Sequence, residues 1–129
     1  MTGADAIRLR LEQAHESLRE AETLKENGLF RGTINRAYYA MFYAVMALAA
    51  QKNYIASKHS GMIAFFDKEF IKTNIFPAEL SRSLHLGFDR RQSSDYGEVW
   101  TVDEEEAFTG LTQAIDFVRE IDAYLKKVE

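Results

Sequence analysis

Residues 30–51 read FRGTINRAYYAMFYAVMALAAQ and predict the helix around which this chain folds. The stretch holds neither proline nor a period-two pattern, and its apolar residues recur at three- and four-residue steps, as on one face of a helix. That face carries Ile34, Ala37, Tyr38, Met41, Val45 and Leu48. The longest run of consecutive apolar residues in the chain, residues 37–50, is shorter than the roughly 20 residues that a membrane span needs. We therefore predict a buried helix in a globular protein, with no membrane segment.

A second face of the same helix is also apolar, with Tyr39, Tyr43, Met46 and Ala50 at matching steps. A helix that is apolar on two faces is either central to a bundle or shared with a second subunit. We expect Tyr39, Tyr43 and Met46 to form the interface of a homodimer. Core packing is the alternative explanation for the same residues.

Four further helices are predicted on either side of this stretch, over about residues 4–26, 58–73, 77–94 and 102–127. Asn27-Gly28 is a left-handed stop signal, and Pro77 suits the first position of a helix. Ser57 is a candidate cap for the third helix. Thr101, with Glu104 three residues later, is a capping-box pattern for the last helix. Five helices with short links predict an all-α antiparallel bundle, in one domain over residues 1–129.

Composition limits the function classes. The chain has 129 residues, a net charge of −4 and no cysteine, which excludes a disulfide framework, a thiolate metal site and a cysteine nucleophile. A protein of net negative charge lacks the broadly basic surface that binds nucleic acid non-specifically. Any contact with nucleic acid must therefore come from a local cluster of basic residues. The three histidines lack metal-ligand spacing, and the acidic run 103–106 fits a first helical turn. We expect a cytoplasmic protein with no signal peptide, metal or cofactor.

Arg91 is the most informative charged residue. At 100° per residue it falls on the same side of the fourth helix as Leu84 and Phe88, and a guanidinium on an apolar face must find partners. Asp95, four residues on, can supply an ion pair. Together with Tyr96, these groups can bind a phosphodiester or stabilise the charge that develops in RNA cleavage. A structural ion pair that pins the helix end is the alternative.

The segment Lys58-His59-Ser60 lies at a predicted helix start, where unpaired backbone N–H groups can hold a phosphate. The alternative is an ordinary helix start with a histidine hydrogen-bonded across the bundle. The residues that we expect to bind a nucleotide or phosphate are Arg36, Lys58, His59, Ser60, Arg90 and Arg91. Arg36, one turn before Tyr39, is also a candidate partner for the tyrosine hydroxyls.

Four segments together resemble a known family. Residues 36–42 (RAYYAMF), 58–61 (KHSG), 70–73 (FIKT) and 91–97 (R-x-x-x-D-Y-G) occur in the order found in HEPN domains, most closely the short stand-alone prokaryotic subgroup. The resemblance runs from about residue 5 to residue 127. It implies an up-and-down bundle of four long helices plus a short fifth helix, and a homodimer encoded beside a minimal nucleotidyltransferase.

The resemblance also implies a chemistry. Many HEPN proteins are metal-independent endoribonucleases, and in toxin pairs the nucleotidyltransferase is the antitoxin, which in some pairs adenylylates a tyrosine. By this resemblance Tyr96 is the candidate for such a modification. The active nucleases carry arginine, four to six residues, then histidine, whereas no histidine follows Arg90 or Arg91. Tyr96 stands near that position, and an unperturbed tyrosine titrates near pH 10 rather than near neutrality.

The sequence therefore predicts a HEPN subunit of a two-component, toxin–antitoxin-like module. The subunit would act as a dimer that binds a nucleotide, RNA or its partner. The alternative is an active metal-independent endoribonuclease in which Arg91, Asp95 and Tyr96 form the catalytic site.

Overall fold

The structure is a computed structural model and describes residues 3–95 and 101–128, without the side chains of residues 94 and 95. Within these ranges it contains helices and no strand, as predicted. The helices are α1 (Gly3–Glu26), α2 (Phe30–Gln51), α3 (His59–Phe66), α4 (Ala78–Asp95) and α5 (Glu104–Lys127). Four are long and α3 is short, which confirms the all-α bundle. None of the helices in the described ranges has the length and apolar character needed to cross a membrane.

The chain reverses between α1 and α2 at a left-handed glycine, as the sequence predicted. Gly28 has φ +74°, and its N–H donates to the carbonyl of Lys25 at 3.0 Å. The N–H of Leu29 donates to the carbonyl of Leu24 at 2.8 Å. These two bonds satisfy the last carbonyls of α1 in a Schellman motif. The tight turn makes α1 and α2 antiparallel neighbours.

Contacts between α1 and α5 show that this pair is antiparallel as well. His15 in the middle of α1 lies 3.1 Å from the carboxylate of Asp122 in the last turns of α5. Lys25 at the end of α1 lies 5.6 Å above the ring of Phe108 near the start of α5. In chain order, the four long helices therefore alternate in direction. Helix α2 lies against α1, α4 and α5.

Two predicted helix caps are wrong. Asp103, not Thr101, caps α5, because the helix begins at Glu104 and the Asp103 carboxylate accepts the Glu106 N–H at 2.8 Å. Ser57 does not cap α3, whose N-cap is Lys58, with no side-chain hydrogen bond. In both places the helix starts later than the sequence signals suggested, so the candidate caps stand too far upstream.

The third helix differs from the predicted single helix over residues 58–73. It changes after Phe66 into one π-helical turn, Asp67–Ile71, which closes with a hydrogen bond from the Lys72 N–H to the Asp67 carbonyl at 2.9 Å. The Asp67 carboxylate accepts the Ser81 hydroxyl at 2.7 Å and lies 2.6 Å from Nε2 of His85, both in α4. The wider turn is thus anchored on α4 by this carboxylate.

The core is built around α2, whose predicted apolar face is buried throughout. An aromatic cluster closes the end of the bundle where α3 meets α5. Its rings lie 5.3 to 6.1 Å from that of Phe66 and belong to Phe70, Phe76 and Phe117. Met62, Ile63, Phe66 and Phe70 are buried and face inward.

Gly87 allows α4 to approach α2 closely. A Cβ atom at this position would lie 2.8 Å from Cδ1 of Tyr38 and 3.3 Å from its Cβ, too close for any residue other than glycine without a shift of the tyrosine. Because side chains four residues apart share a helix face, this contact also brings the next turn of α4, which carries Arg91, against α2.

Candidate functional site

Arg91 reaches across from α4 to α2. Its Nε donates to the hydroxyl of Tyr39 at 3.0 Å, and its Cζ lies 5.9 Å from the centre of the Tyr39 ring. The side chain is half-buried. Sequence reasoning placed Arg91 correctly on the inner side of α4 but proposed Asp95 as its partner. The side chain of Asp95 and all of Tyr96 lie outside the described residues, so the Arg91–Asp95 pair and the roles of both residues stay predictions.

Arg36 lies on the same aromatic ring. Its Cζ is 4.8 Å from the centre of Tyr39, and its Nη1 donates to the Glu20 carboxylate of α1 at 3.3 Å. Its Nε is buried and has no hydrogen-bond partner in the part of the chain that the structure describes. The expectation that Arg36 pairs with the tyrosine hydroxyls is wrong for Tyr39, because it meets the face of that ring and Arg91 takes the hydroxyl. Two guanidinium groups thus converge on one phenol.

His59, the first residue of α3, adds an imidazole to the same place. Its Nδ1 lies 2.8 Å from the hydroxyl of Tyr38, and its ring stacks on Phe42 with centres 3.9 Å apart and planes 9° apart. The edge of Tyr39 approaches the imidazole with ring centres 6.1 Å apart. His59 is therefore hydrogen-bonded across the bundle, as the alternative explanation proposed, and it also lies beside the ring that Arg36 and Arg91 contact.

Tyr38 is the residue that sequence reasoning missed. Its ring is buried, 2% exposed, and the sequence placed it only in the apolar stripe of α2. Burial raises the pKa of the Tyr38 phenol above its ordinary value, and the positive charge of Arg91 offsets only part of that rise. The phenol is thus protonated throughout the physiological range. The one signal in the sequence is that a tyrosine, rather than a phenylalanine of similar size, stands on the apolar face of α2, so that a buried hydroxyl needs a partner.

We call the group Arg36, Tyr38, Tyr39, His59 and Arg91 the Tyr39 cluster. Guanidinium groups are always charged and offer planar forks of donors that match phosphate oxygens. The imidazole of His59 adds ring nitrogens that can donate or accept hydrogen bonds. Such a group can bind a phosphate or phosphodiester within a protein of net negative charge, where the surface as a whole cannot.

The other predicted phosphate-binding residues lie apart from these contacts. Lys58 and Ser60 are exposed on either side of His59 at the start of α3. Arg90 is next to Arg91 in sequence but points towards α5, where it donates to the Glu106 carboxylate at 3.4 Å. Three of the six predicted positions, Arg36, His59 and Arg91, are brought together by the fold.

The residues predicted to form a dimer interface are half-buried against the core. The rings of Tyr39 and Tyr43 lie 6.3 Å apart along α2, and Met46 continues the same face. Tyr39 also accepts the hydrogen bond from Arg91, so the face and the Tyr39 cluster share one residue. Within the described ranges, no group of three or more histidine, aspartate or glutamate side chains is placed to hold a metal ion.

Comparison with known proteins matches a family model described as the HEPN domain over residues 7–127. The chain is similar to a UPF0332 protein of Thermotoga maritima, 36% identical over 117 residues that cover 91% of this chain and 83% of that protein. It is also similar to two proteins of Methanocaldococcus jannaschii, each named a putative toxin. One is 36% identical over 89% of this chain and 78% of the relative, and the other 34% identical over 96% and 92%.

Proposed function

We propose, from the premise that this chain belongs to the HEPN domain family, that it is the phosphate-binding subunit of a two-component module. The subunit works as a homodimer beside a minimal nucleotidyltransferase and binds RNA or a nucleotide through the Tyr39 cluster. Two relatives named putative toxins support a toxin-like role within such a module.

The observation that carries this proposal is the contact between Arg91 and Tyr39. A half-buried guanidinium on the inner side of α4 gives up part of its hydration, and the phenol of Tyr39 accepts one hydrogen bond from its Nε. A second guanidinium, that of Arg36, lies over the same ring. A phosphate at this place would supply negative charge and several acceptors to both side chains. The convergence of two guanidiniums on one ring, with the Nε of Arg36 buried, therefore supports the binding of an anionic ligand.

The test of binding uses a fluorescently labelled single-stranded RNA. We expect its anisotropy to rise with protein concentration, and the affinity to fall as salt is added. Neutralising phosphates on a single strand changes log K by about −0.7 per phosphate for each unit of log[salt], so the two guanidiniums predict a slope of roughly −1 to −2. An RNA that stays unbound at low salt, with inorganic phosphate and mononucleotides also inert, would contradict the proposal.

The test of assembly uses coexpression with the adjacent reading frame. A minimal nucleotidyltransferase encoded there is expected to copurify with this chain, and sedimentation of the chain by itself is expected to show a dimer. Replacing Met46 with glutamate puts a charge on the proposed dimer face and is expected to shift the species towards monomer. Sedimentation of the unmodified chain as monomer at all concentrations would contradict the role of Tyr39, Tyr43 and Met46.

A second candidate function is metal-independent RNA cleavage, with Arg91, Asp95 and Tyr96 as the proposed catalytic residues. One observation favours it: the His59 imidazole lies beside Tyr39, so the fold supplies a histidine that the segment after Arg91 lacks. RNA from the binding assay, incubated with a chelator and resolved by length, separates the two functions. Cleavage that is lost in Arg91→Ala supports the nuclease function. RNA that stays intact at saturating protein supports binding without cleavage.

A further inference from the structure

We propose that the groove between α1 and α2 binds the ribose of the nucleotide whose phosphate the Tyr39 cluster holds. The two carboxylates of this groove, those of Glu16 and Glu20, supply the acceptor for the 2′-hydroxyl group of that ribose. This assignment rests on the proposed function and deepens it, because it names RNA rather than DNA as the class of ligand. It places the determinant of sugar specificity on α1.

The groove has a volume of about 500 Å³, within the range of roughly 300–1,000 Å³ that is usual for small-molecule sites. Four of its residues recur at three- and four-residue steps along α1 and are exposed, while α2 contributes Arg36. The lining residues are Glu16, Arg19, Glu20, Thr23, Leu24 and Arg36. Arg36 also lies over the Tyr39 ring, with its Cζ 4.8 Å from the ring centre. One guanidinium thus belongs to both the groove and the Tyr39 cluster, so a ligand held by the cluster can extend into the groove.

The formal charges that line the groove cancel. The carboxylates of Glu16 and Glu20 are matched by the guanidiniums of Arg19 and Arg36. Ionised carboxylates only accept hydrogen bonds, so they repel a phosphate and attract a hydroxyl group. A ribose is uncharged, and its 2′-hydroxyl is the group that distinguishes RNA from DNA. The charges therefore favour the sugar in the groove and the phosphate at the Tyr39 cluster.

Polar groups of the groove keep hydrogen-bonding capacity. Nη1 of Arg36 donates to one oxygen of Glu20 at 3.3 Å, which is longer than the usual charge-assisted bond of about 2.7–2.9 Å. The Glu16 carboxylate forms no ion pair or side-chain hydrogen bond with the part of the chain that the structure describes. In the same ranges the buried Nε of Arg36 has no partner. A 2′-hydroxyl group both donates and accepts hydrogen bonds, so it can pair with a carboxylate and with a guanidinium.

The test compares three oligouridines of equal length, which carry a hydroxyl, a hydrogen or a fluorine at the 2′ position, as competitors of labelled RNA in the anisotropy assay. The 2′-fluoro strand keeps the sugar pucker of RNA but has no proton to donate. We expect the ribo strand to bind about tenfold more tightly than either other strand, as one hydrogen bond to a charged group would give. Equal binding of the ribo strand and either other strand would overturn the inference and leave the proposed function standing. Failure of all three strands to bind would overturn both.

Glu16→Gln and Glu20→Gln keep the shape of the side chain and remove its charge. At least one of them is expected to reduce the preference for the ribo strand to about threefold or less, since an amide oxygen accepts a weaker, uncharged hydrogen bond. Glu22→Gln is the matched control, because Glu22 is an exposed residue of α1 outside the groove lining, and it is expected to keep the full preference. The preference is a ratio, so a change in overall charge that acts on all strands alike does not move it.

A full preference in both groove variants, or the same loss in Glu22→Gln, would overturn the role of the two carboxylates. The exposed positions of Glu16 and Glu20 predict that the helical circular dichroism is retained in these variants. Should a variant fail to fold, the comparison of the ribo and 2′-fluoro strands on the unmodified chain still decides.

Discussion

Replacement of Arg91 by alanine is expected to weaken RNA binding by about 10- to 100-fold while the helical fold is kept. A hydrogen bond that involves a charged group is worth about 1.5–3 kcal/mol, and each 1.4 kcal/mol changes a dissociation constant tenfold. Arg91 reaches the Tyr39 cluster from the last turns of α4 and is half-buried, so its loss removes a partly desolvated guanidinium from the site. Anisotropy of labelled RNA at constant low salt measures the change.

Arg82→Ala is the matched control, because Arg82 is an exposed arginine on the same helix, paired with Glu79 three residues earlier. It changes the net charge equally, so it is expected to weaken binding by less than about twofold, as suits an exposed charge screened by salt. Arg91→Lys keeps the charge but not the planar fork and is expected to lie between the two. Equal losses for Arg82→Ala and Arg91→Ala would mean that overall charge, not the Tyr39 cluster, binds the RNA.

Replacement of Phe66 by alanine is expected to reduce the free energy of unfolding by about 3–5 kcal/mol, the usual cost of deleting a buried phenylalanine ring. Phe66 is 0% exposed and packs against Phe117 of α5 with ring centres 5.3 Å apart. It is also the last residue of α3 before the π-helical turn. Because α3 presents His59, loss of this anchor should loosen the site together with the core. Urea denaturation followed by circular dichroism gives the free energy.

Phe108→Ala is the control for that experiment. Phe108 is 58% exposed on α5, and its ring contacts the ammonium group of Lys25. An exposed cation–π contact contributes about 0.5–1 kcal/mol, so the loss of stability should stay below about 1 kcal/mol. A similar loss for the two variants would show that the aromatic cluster around Phe66 does not carry the core.

The helices could be predicted from the sequence because their signals are periodic and local. α2 begins and ends where the apolar pattern does, and Gly28 supplies the left-handed residue that ends α1. The caps could not be chosen in the same way. Thr101 and Asp103 are both good caps, and the choice between them depends on where packing starts the helix. The π-helical turn is likewise invisible to periodicity, because Asp67 finds its partners on α4 only in the folded chain.

For the candidate site, helical phase placed Arg91 on the inner side of α4 but did not predict its contact with Tyr39. Tyr39 is 52 residues away in sequence, and the contact depends on the close approach of α4 to α2 at Gly87. His59 was a candidate from its place at a helix start, yet its bond to Tyr38 joins two elements. Periodicity assigns a residue to a face but does not tell which face of another helix it will meet.

The central claim is that Arg91 binds phosphate within the Tyr39 cluster, and the Nε–Hε resonance of Arg91 in a ¹H–¹⁵N spectrum tests it most directly. During titration with a short single-stranded RNA, we predict that this resonance shifts most among the arginines, that Arg36 shifts with it, and that exposed Arg82 does not respond. An Arg91 resonance that stays in place while RNA binds and other arginines respond would contradict the claim.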